Sequence, residues 1–289
     1  MKLLRYNLDS DVKVGVLVDD QIIDLSGLGI TRMMDIIAGG DGVLSKIESF
    51  VAEADSRIDL DSVTLLPPIE RPSKYLAIGL NYALHVDEAE KAGVARNPHQ
   101  TWFNKQTSCL SGPFDTIDPG VTEKLDYEVE LGAVIGVAAK GVSPKDALGH
   151  VFGYVVANDV SARDWQFHSQ TFTVGKSFDT HGPIGPWIVT ANEIPDPQDL
   201  NLRCLVNGEV RQESSTRLMI HSIADQISYL STAFTLEPGD LIATGTPDGV
   251  GMAMDPPIYL QDGDIVRCEI DGIGAIENRV RAARGAVQQ

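Results

Sequence analysis

The stretch Asp126-Tyr127-Glu128-Val129-Glu130-Leu131-Gly132-Ala133-Val134-Ile135-Gly136-Val137 constrains the fold more than any other. Val129, Leu131, Ala133 and Ile135 alternate with Glu128, Glu130, Gly132 and Val134. A period of two is the pattern of a β-strand with one apolar face. Glu128 and Glu130 then point the same way, roughly 7 Å apart along the strand. Two carboxylates side by side repel. Burying them uncompensated is costly, or raises their pKa values. A divalent cation removes both penalties; an exposed polar face avoids them in another way. Gly132, next on the same face, leaves room for something to approach.

The chain has 289 residues and a formal net charge of −18. The length suffices for one large or two smaller cores. The charge opposes binding to nucleic acid or to an anionic membrane. An anionic substrate would need local positive charge, from a metal ion and a few placed Arg and Lys side chains. Cys109, Cys204 and Cys268 are odd in number and widely spaced. They give neither a disulfide framework nor a zinc knuckle, and read as small buried apolar residues. The N-terminus lacks the apolar stretch of a signal peptide. No segment approaches ~18 uninterrupted apolar residues, so no membrane span is expected and the cytoplasm is the default compartment.

Residues 1–25 read as short strands with a turn at Asp19-Asp20. Residues 31–38 and 43–54 read as helices separated by Gly39-Gly40. Pro67-Pro68 and Pro72 form a stiff connector. This places a boundary near residue 70, with residues 1–70 as a small α+β domain and residues 71–289 carrying the motifs. Residues 75–80 read as a buried strand, and Asn81 onward as a helix ending near Gly93. On that helix His85 and Glu88 are three apart and share a face. Glu88 can then orient the imidazole and raise its basicity, as a general base requires; a surface ion pair has the same spacing.

Residues 102–105 are a strand candidate. Residues 151–158 form an apolar strand that delivers Asp159 at its end, where a carboxylate can also cap the following turn. Arg163 and Gln166, one turn apart, can face one cavity, and Arg163 suits bidentate carboxylate recognition. Lys176, among small and apolar neighbours, can stabilise a developing oxyanion. The run Thr244-Gly245-Thr246-Pro247-Asp248-Gly249-Val250-Gly251 lacks the Gly-Lys-Ser/Thr ending of a phosphate loop. It reads instead as placing Thr246 and backbone amides against a substrate carboxylate. Asn207-Gly208 marks a hairpin, and residues 222–231 a helix. Many short strands with few helices argue for a β-rich α+β fold.

Four stretches taken together resemble the fumarylacetoacetate hydrolase family. They are Gly79-Leu80-Asn81-Tyr82-Ala83-Leu84-His85 with Glu88, Asn158-Asp159-Val160-Ser161-Ala162-Arg163-Asp164-Trp165-Gln166, Gly175-Lys176-Ser177-Phe178-Asp179, and the glycine-rich loop. The match runs in order from about residue 71 to the end. It implies a mixed β-roll, usually a homodimer. It also implies His85 and Glu88 as a catalytic dyad, Lys105 as a lysine near the site, and Asp159 as third metal ligand beside Glu128 and Glu130. The family's commoner form has an acidic residue where this chain has Leu84, a departure that bears on substrate contacts. An all-oxygen ligand set without Cys or His argues for Mg²⁺, with Mn²⁺ or Ca²⁺ as alternatives, and against Zn²⁺.

The function this implies is metal-dependent hydrolytic C–C cleavage of an acylpyruvate or 2,4-diketo acid. His85 would activate water and Lys176 would hold the enolate. Arg163, Gln166 and Thr246 would anchor the substrate carboxylate. Oxaloacetate-type decarboxylation and hydroxymuconate-type isomerisation use the same enolate, and the family contains all three. A non-catalytic metal-binding dimer module is the reading from another class. The co-occurrence of His85, Glu88, Lys176 and three carboxylates opposes it.

Overall fold

The computed structural model describes residues 1–91 and 97–281. The chain begins with a meander of β1 (Lys2–Leu8), β2 (Asp11–Val18) and β3 (Gln21–Asp24). The two-residue turns Asp9-Ser10 and Asp19-Asp20 have positive φ throughout, which matches the twist of the strands they join. Helix α1 (Met33–Glu53) is broken at Gly40, where φ is 53° and ψ is −148°. The two helices expected there are its two halves. Strands β4 (Ile58–Asp59) and β5 (Thr64–Leu66) close this part.

After the proline connector come β6 (Tyr75–Gly79), helix α2 (Ala83–Lys91) and β7 (Thr101–Lys105). The expected helix end near Gly93 lies outside the described residues. Next are β8 (Leu110–Ser111), β9 (Leu125–Asp126), β10 (Val129–Ile135) and α3 (Pro144–Ala147). Strand β11 (Val151–Asn158) leads into β12 (Ser161–Ala162), α4 (Arg163–Gln166) and β13 (Gly182–Thr190). The chain ends with β14 (Asn201–Val206), β15 (Glu209–Ser215), α5 (Ile223–Ala233), β16 (Leu241–Ala243), β17 (Ile265–Ile270) and β18 (Gly274–Arg279). The Asn207-Gly208 turn joins β14 to β15 with both residues at positive φ. Ser222 and Asp225 form a reciprocal capping box at the start of α5.

A mixed sheet of twelve strands runs in the order β4-β3-β2-β1-β13-β11-β10-β16-β6-β7, with β5 added on β1 and β8 on β13. Its pairs are antiparallel except β6 with β16 and β8 with β13. A second sheet, β15-β14-β17-β18, is fully antiparallel. The fold is therefore strand-rich α+β, as expected. Lys2 pairs with Val189, so the large sheet runs across the proline connector from one part of the chain to the other.

Strand β10 lies inside the large sheet, and all its residues are buried. Val129, Leu131, Ala133 and Ile135 join one apolar cluster. Val134, on the other face, joins a second cluster with Met33, Ile36, Ile37 and Ile47 of α1. The alternation is present, but both faces are covered. Gly132 does not open space for a ligand: a Cβ there would fall 2.6 Å from Val155 Cγ2. Its missing side chain accommodates the neighbouring strand instead.

Candidate active site

Antiparallel pairing sets Val129 opposite Asn158 and Glu130 opposite Ala157. The chain just beyond this ladder holds Glu128 against Asp159, whose N–H donates to the Glu128 carbonyl at 2.9 Å. Glu128, Glu130 and Asp159 then bring one carboxylate oxygen each to within 4.8 Å of one another. They are 5%, 1% and 0% exposed. Gly245 N donates to Glu130 Oε2 at 2.8 Å. Gly245 has φ of 100°, and a Cβ there would meet Asn81 Cβ at 2.6 Å, so only glycine fits this approach.

The three carboxyl groups differ in their partners. Burial alone would raise Glu128, but Lys176 and Arg163 outweigh it and hold its pKa at about 2. Burial, then Asp159 and Glu128, push Glu130 well above the usual carboxylate range. Among the described residues, cations touch Glu128 and Asp159, while Glu130 has the single Gly245 amide. Three converging buried carboxylates, one of them undercompensated, with no Cys or His among them, fit a hard divalent cation.

Lys176 Nζ donates to Glu128 Oε2 and Asp159 Oδ2, each at 2.7 Å. Lys105, at the end of β7, is 2% exposed. Its Nζ donates to Asp159 Oδ1 at 2.5 Å and to the carbonyl of Lys176. It thus bridges the triad and the segment that carries the second lysine. Arg163 Nη2 lies 2.7 Å from Glu128 Oε1, and its Nη1 donates to Gln166 Oε1 at 2.9 Å. Its Nε donates to Asp126 Oδ2 at 2.9 Å. Asp126 also accepts from the backbone N–H groups of Tyr127, Gly251 and Met252. Sequence reasoning gave Asp126 no role, although it heads the alternating stretch.

His85 Nδ1 lies 3.3 Å from Glu88 Oε2, and Glu88 Oε1 accepts from Gly249 N at 3.0 Å. The amides of the glycine-rich loop thus go to the chain's own carboxylates: Gly245 to Glu130, Gly249 to Glu88, and Gly251 to Asp126. Buried carboxylates require such donors before any ligand does. Thr246 Oγ1 donates to the Val129 carbonyl at 3.0 Å and accepts from Gln212 Nε2 at 2.8 Å. Gln212 is 1% exposed. Its Oε1 accepts from Val129 N, and its Nε2 also reaches the Pro247 carbonyl. It ties the ligand strand to the loop, a role that an isolated Gln on a surface-type hairpin does not signal.

One cavity of about 790 Å³ is lined by His85, Glu88, Glu128, Arg163, Gln166, Lys176 and Thr246, with a largely apolar remainder that also includes the neutral polar Asn97, Thr101 and Gln170. Lys105, Glu130 and Asp159 lie behind this lining. Leu84 is 55% exposed and is not part of it. Among the described residues no helix is long and apolar enough to cross a membrane.

A mixed sheet with a buried carboxylate cluster and a His–Glu pair on one cavity defines an α+β protein built for small-molecule chemistry. Residues 74–281 match the model of the fumarylacetoacetate (FAA) hydrolase C-terminal domain. The chain belongs to the fumarylacetoacetate hydrolase family. It is 40% identical to the mitochondrial oxaloacetate tautomerase fahd2 of Xenopus laevis, over 97% of this chain and 90% of that protein. Among solved structures, the fumarylacetoacetate hydrolase of Exiguobacterium antarcticum is 38% identical with a TM-score of 0.84. That match covers 98% of this chain and 100% of the other. The maleylpyruvate hydrolase of Sphingobium sp. SYK-6, in complex with manganese (II) ion and pyruvate, is 31% identical with the same coverage and TM-score of 0.84.

Proposed function

We propose that the chain is a divalent-metal-dependent hydrolase that cleaves a C–C bond in an acylpyruvate or related 2,4-diketo acid, yielding a carboxylic acid and pyruvate. The observation that carries this reading is a cavity lined by a His–Glu pair, a lysine and Glu128, with Glu130 and Asp159 completing a buried carboxylate triad directly behind it. Glu128, Glu130 and Asp159 would hold the ion, with Mg²⁺ the first choice for such oxygens and Mn²⁺ or Ca²⁺ the others. When bound, the ion supplies a Lewis acid that polarises the 2-oxo group and offsets enolate charge.

The chain's own residues do the rest. His85, oriented by Glu88, takes a proton from water. The hydroxide adds to the carbonyl carbon of the acyl group. The bond from that carbon to the pyruvyl methylene then breaks, and its electron pair remains on the pyruvyl fragment as an enolate. Lys176 lies beside the triad and offsets part of the oxyanion charge. His85 returns the proton to the methylene carbon, which completes pyruvate. Arg163 has N–H groups beyond those it gives to Asp126, Glu128 and Gln166, and with Gln166 it anchors the carboxylate end. The Thr246 hydroxyl gives its proton to the Val129 carbonyl and so holds the loop in place rather than the substrate. Every lining residue lies between positions 78 and 253, which supports assigning the chemistry to residues 71–289 and a covering role to residues 1–70.

A second reading is keto–enol tautomerisation of an oxaloacetate-type acid. The 40% identity to a named oxaloacetate tautomerase favours it. There His85 would shuttle a proton between carbon and oxygen, without an attacking water. The two readings separate by NMR product analysis on 2,4-diketo acids and enol-oxaloacetate. The hydrolase reading expects pyruvate from diketo acids and a loss of at least ~10²-fold in His85→Ala. Accelerated ketonisation of enol-oxaloacetate with no C–C cleavage would move the assignment to tautomerase.

A further inference from the structure

The cavity has a charged end and an apolar wall, and three phenyl rings connect the two. Lys176 Nζ lies 5.1 Å from the centroid of the Phe103 ring. Phe103 meets Phe172 edge-to-face at 6.1 Å, and Phe172 meets Phe167 edge-to-face at 5.7 Å. Phe103 is 6% exposed, Phe172 half-buried and Phe167 53% exposed. The rings therefore lead from the carboxylate cluster outward to solvent, and all three line the cavity. Edge-to-face contacts fix the ring orientations and present an ordered apolar surface.

The cations on the same cavity are all paired. Among the described residues they are His85, Arg163 and Lys176. His85 faces Glu88, Arg163 holds Asp126 and Glu128, and Lys176 holds Glu128 and Asp159. Arg163 and Lys176 sit at the charged end, where Arg163 meets the pyruvyl carboxylate and Lys176 the enolate oxygen. Along the phenyl wall, among the described residues, no cation stands ready for a second carboxylate; Asn97, Thr101 and Gln170, also on the cavity, are polar but neutral. Maleylpyruvate and oxaloacetate, in the names of two relatives, are acids with a carboxylate at each end.

We infer that the acyl group this chain accepts is uncharged and apolar, an alkanoyl or aroyl group lying along Phe103, Phe172 and Phe167. The inference rests on the acylpyruvate reading above and names the substrate class within it.

The test uses the Mg²⁺-loaded protein and a series of 2,4-diketo acids. Acetyl-, propanoyl-, butanoyl- and pentanoylpyruvate differ by one methylene each, and the pentanoyl member is compared with a counterpart of equal length ending in a carboxylate. Each methylene buried on the wall should raise kcat/KM about fourfold. The terminal carboxylate should lower it at least about tenfold, because a charge would be desolvated without a partner. Phe172→Ala should reduce the pentanoyl-to-acetyl ratio about tenfold, the scale of a lost large apolar contact. Phe167→Ala, at an exposed position, should reduce it by a smaller factor in a protein whose core is untouched. A merely structural role would lower both substrates alike and leave the ratio fixed. A flat series, or a diacid turned over as well as its neutral counterpart, overturns the inference while the hydrolase reading stands. If no member is cleaved, that reading falls, and calorimetric binding of the same acids decides the inference: affinity rising with tail length upholds it, and affinity independent of the tail overturns it.

Discussion

Replacement of Lys105 by Met tests whether the buried lysines hold the site together. The Lys105 ammonium is enclosed and donates to Asp159 Oδ1, to the Lys176 carbonyl and, at 3.4 Å, to the Val160 carbonyl. Met keeps the aliphatic stem and removes the charge. Deleting one partner of a buried ion pair costs ~3–5 kcal/mol, because the other charge is left uncompensated. Two effects act in opposite directions here. Asp159 keeps Lys176 on its other oxygen, which softens the loss. The two carbonyls lose their donor, which adds about 1 kcal/mol or more each. The net expectation is a destabilisation of about 3 kcal/mol, measured by urea unfolding with chelator present and read from the midpoint at unchanged slope. Saturating Mg²⁺ should shrink the difference, since a cation on Asp159 replaces much of what Lys105 gave. A loss below about 1 kcal/mol, or one independent of Mg²⁺, would refute the reasoning.

Glu128→Ala and Asp159→Ala should each abolish calorimetric Mg²⁺ binding together with turnover, and exhaustive chelation of the wild type should do the same reversibly. Turnover that survives chelation would exclude the triad as a working metal site. Gln212→Leu leaves the Val129 N–H and the Pro247 carbonyl without partners, so it should cost about 2–3 kcal/mol in the same urea assay. A neutral result would mean that water replaces the amide. His181 is fully buried, and burial, then Lys105, lower its pKa from 6.5 to about 4. The unfolded chain therefore binds the extra proton first as pH falls. Stability is complete above pH 6.5 and is lost progressively down to about pH 4, by roughly 3 kcal/mol in total. His181→Gln should flatten that acid limb; an unchanged limb would assign it to other groups.

What the sequence made legible was local. The alternation through β10, the Asn-Gly hairpin, the capping-box helix α5 and the break at Gly39-Gly40 each depend on neighbours within a few residues. Burial on both faces of β10 was not legible, because the cover comes from α1, far away in the chain. Lys105 gave no local sign of its depth; its partners lie 54 and 71 residues away. The glycine-rich loop reads as placing amides against a substrate carboxylate, whereas the Gly245, Gly249 and Gly251 amides go to the chain's own carboxylates, which local sequence does not reveal. Glu88 and Asp126 are 161 and 125 residues from the amides that hold them. Gln212 and Asp126 escaped for a related reason: a lone polar residue in or beside a strand looks the same whether it faces solvent or a buried partner.

The charges of the site can be followed one step further. Buried around the triad are four carboxylates, Asp126, Glu128, Glu130 and Asp159, and three cations, Lys105, Arg163 and Lys176. With every ligand ionised, as metal binding requires, the cluster carries one net negative charge. A divalent ion reverses this to one net positive charge. A single substrate carboxylate then neutralises the cluster. A second carboxylate on the same substrate meets no remaining positive charge there, in a protein whose formal net charge is −18. The cluster is thus matched to an acid with one charged end, and the phenyl wall to a tail with none. The two features arise from different parts of the chain. Each alone would admit other substrates; together they are what a monoanionic 2,4-diketo acid, the substrate class proposed above, would require.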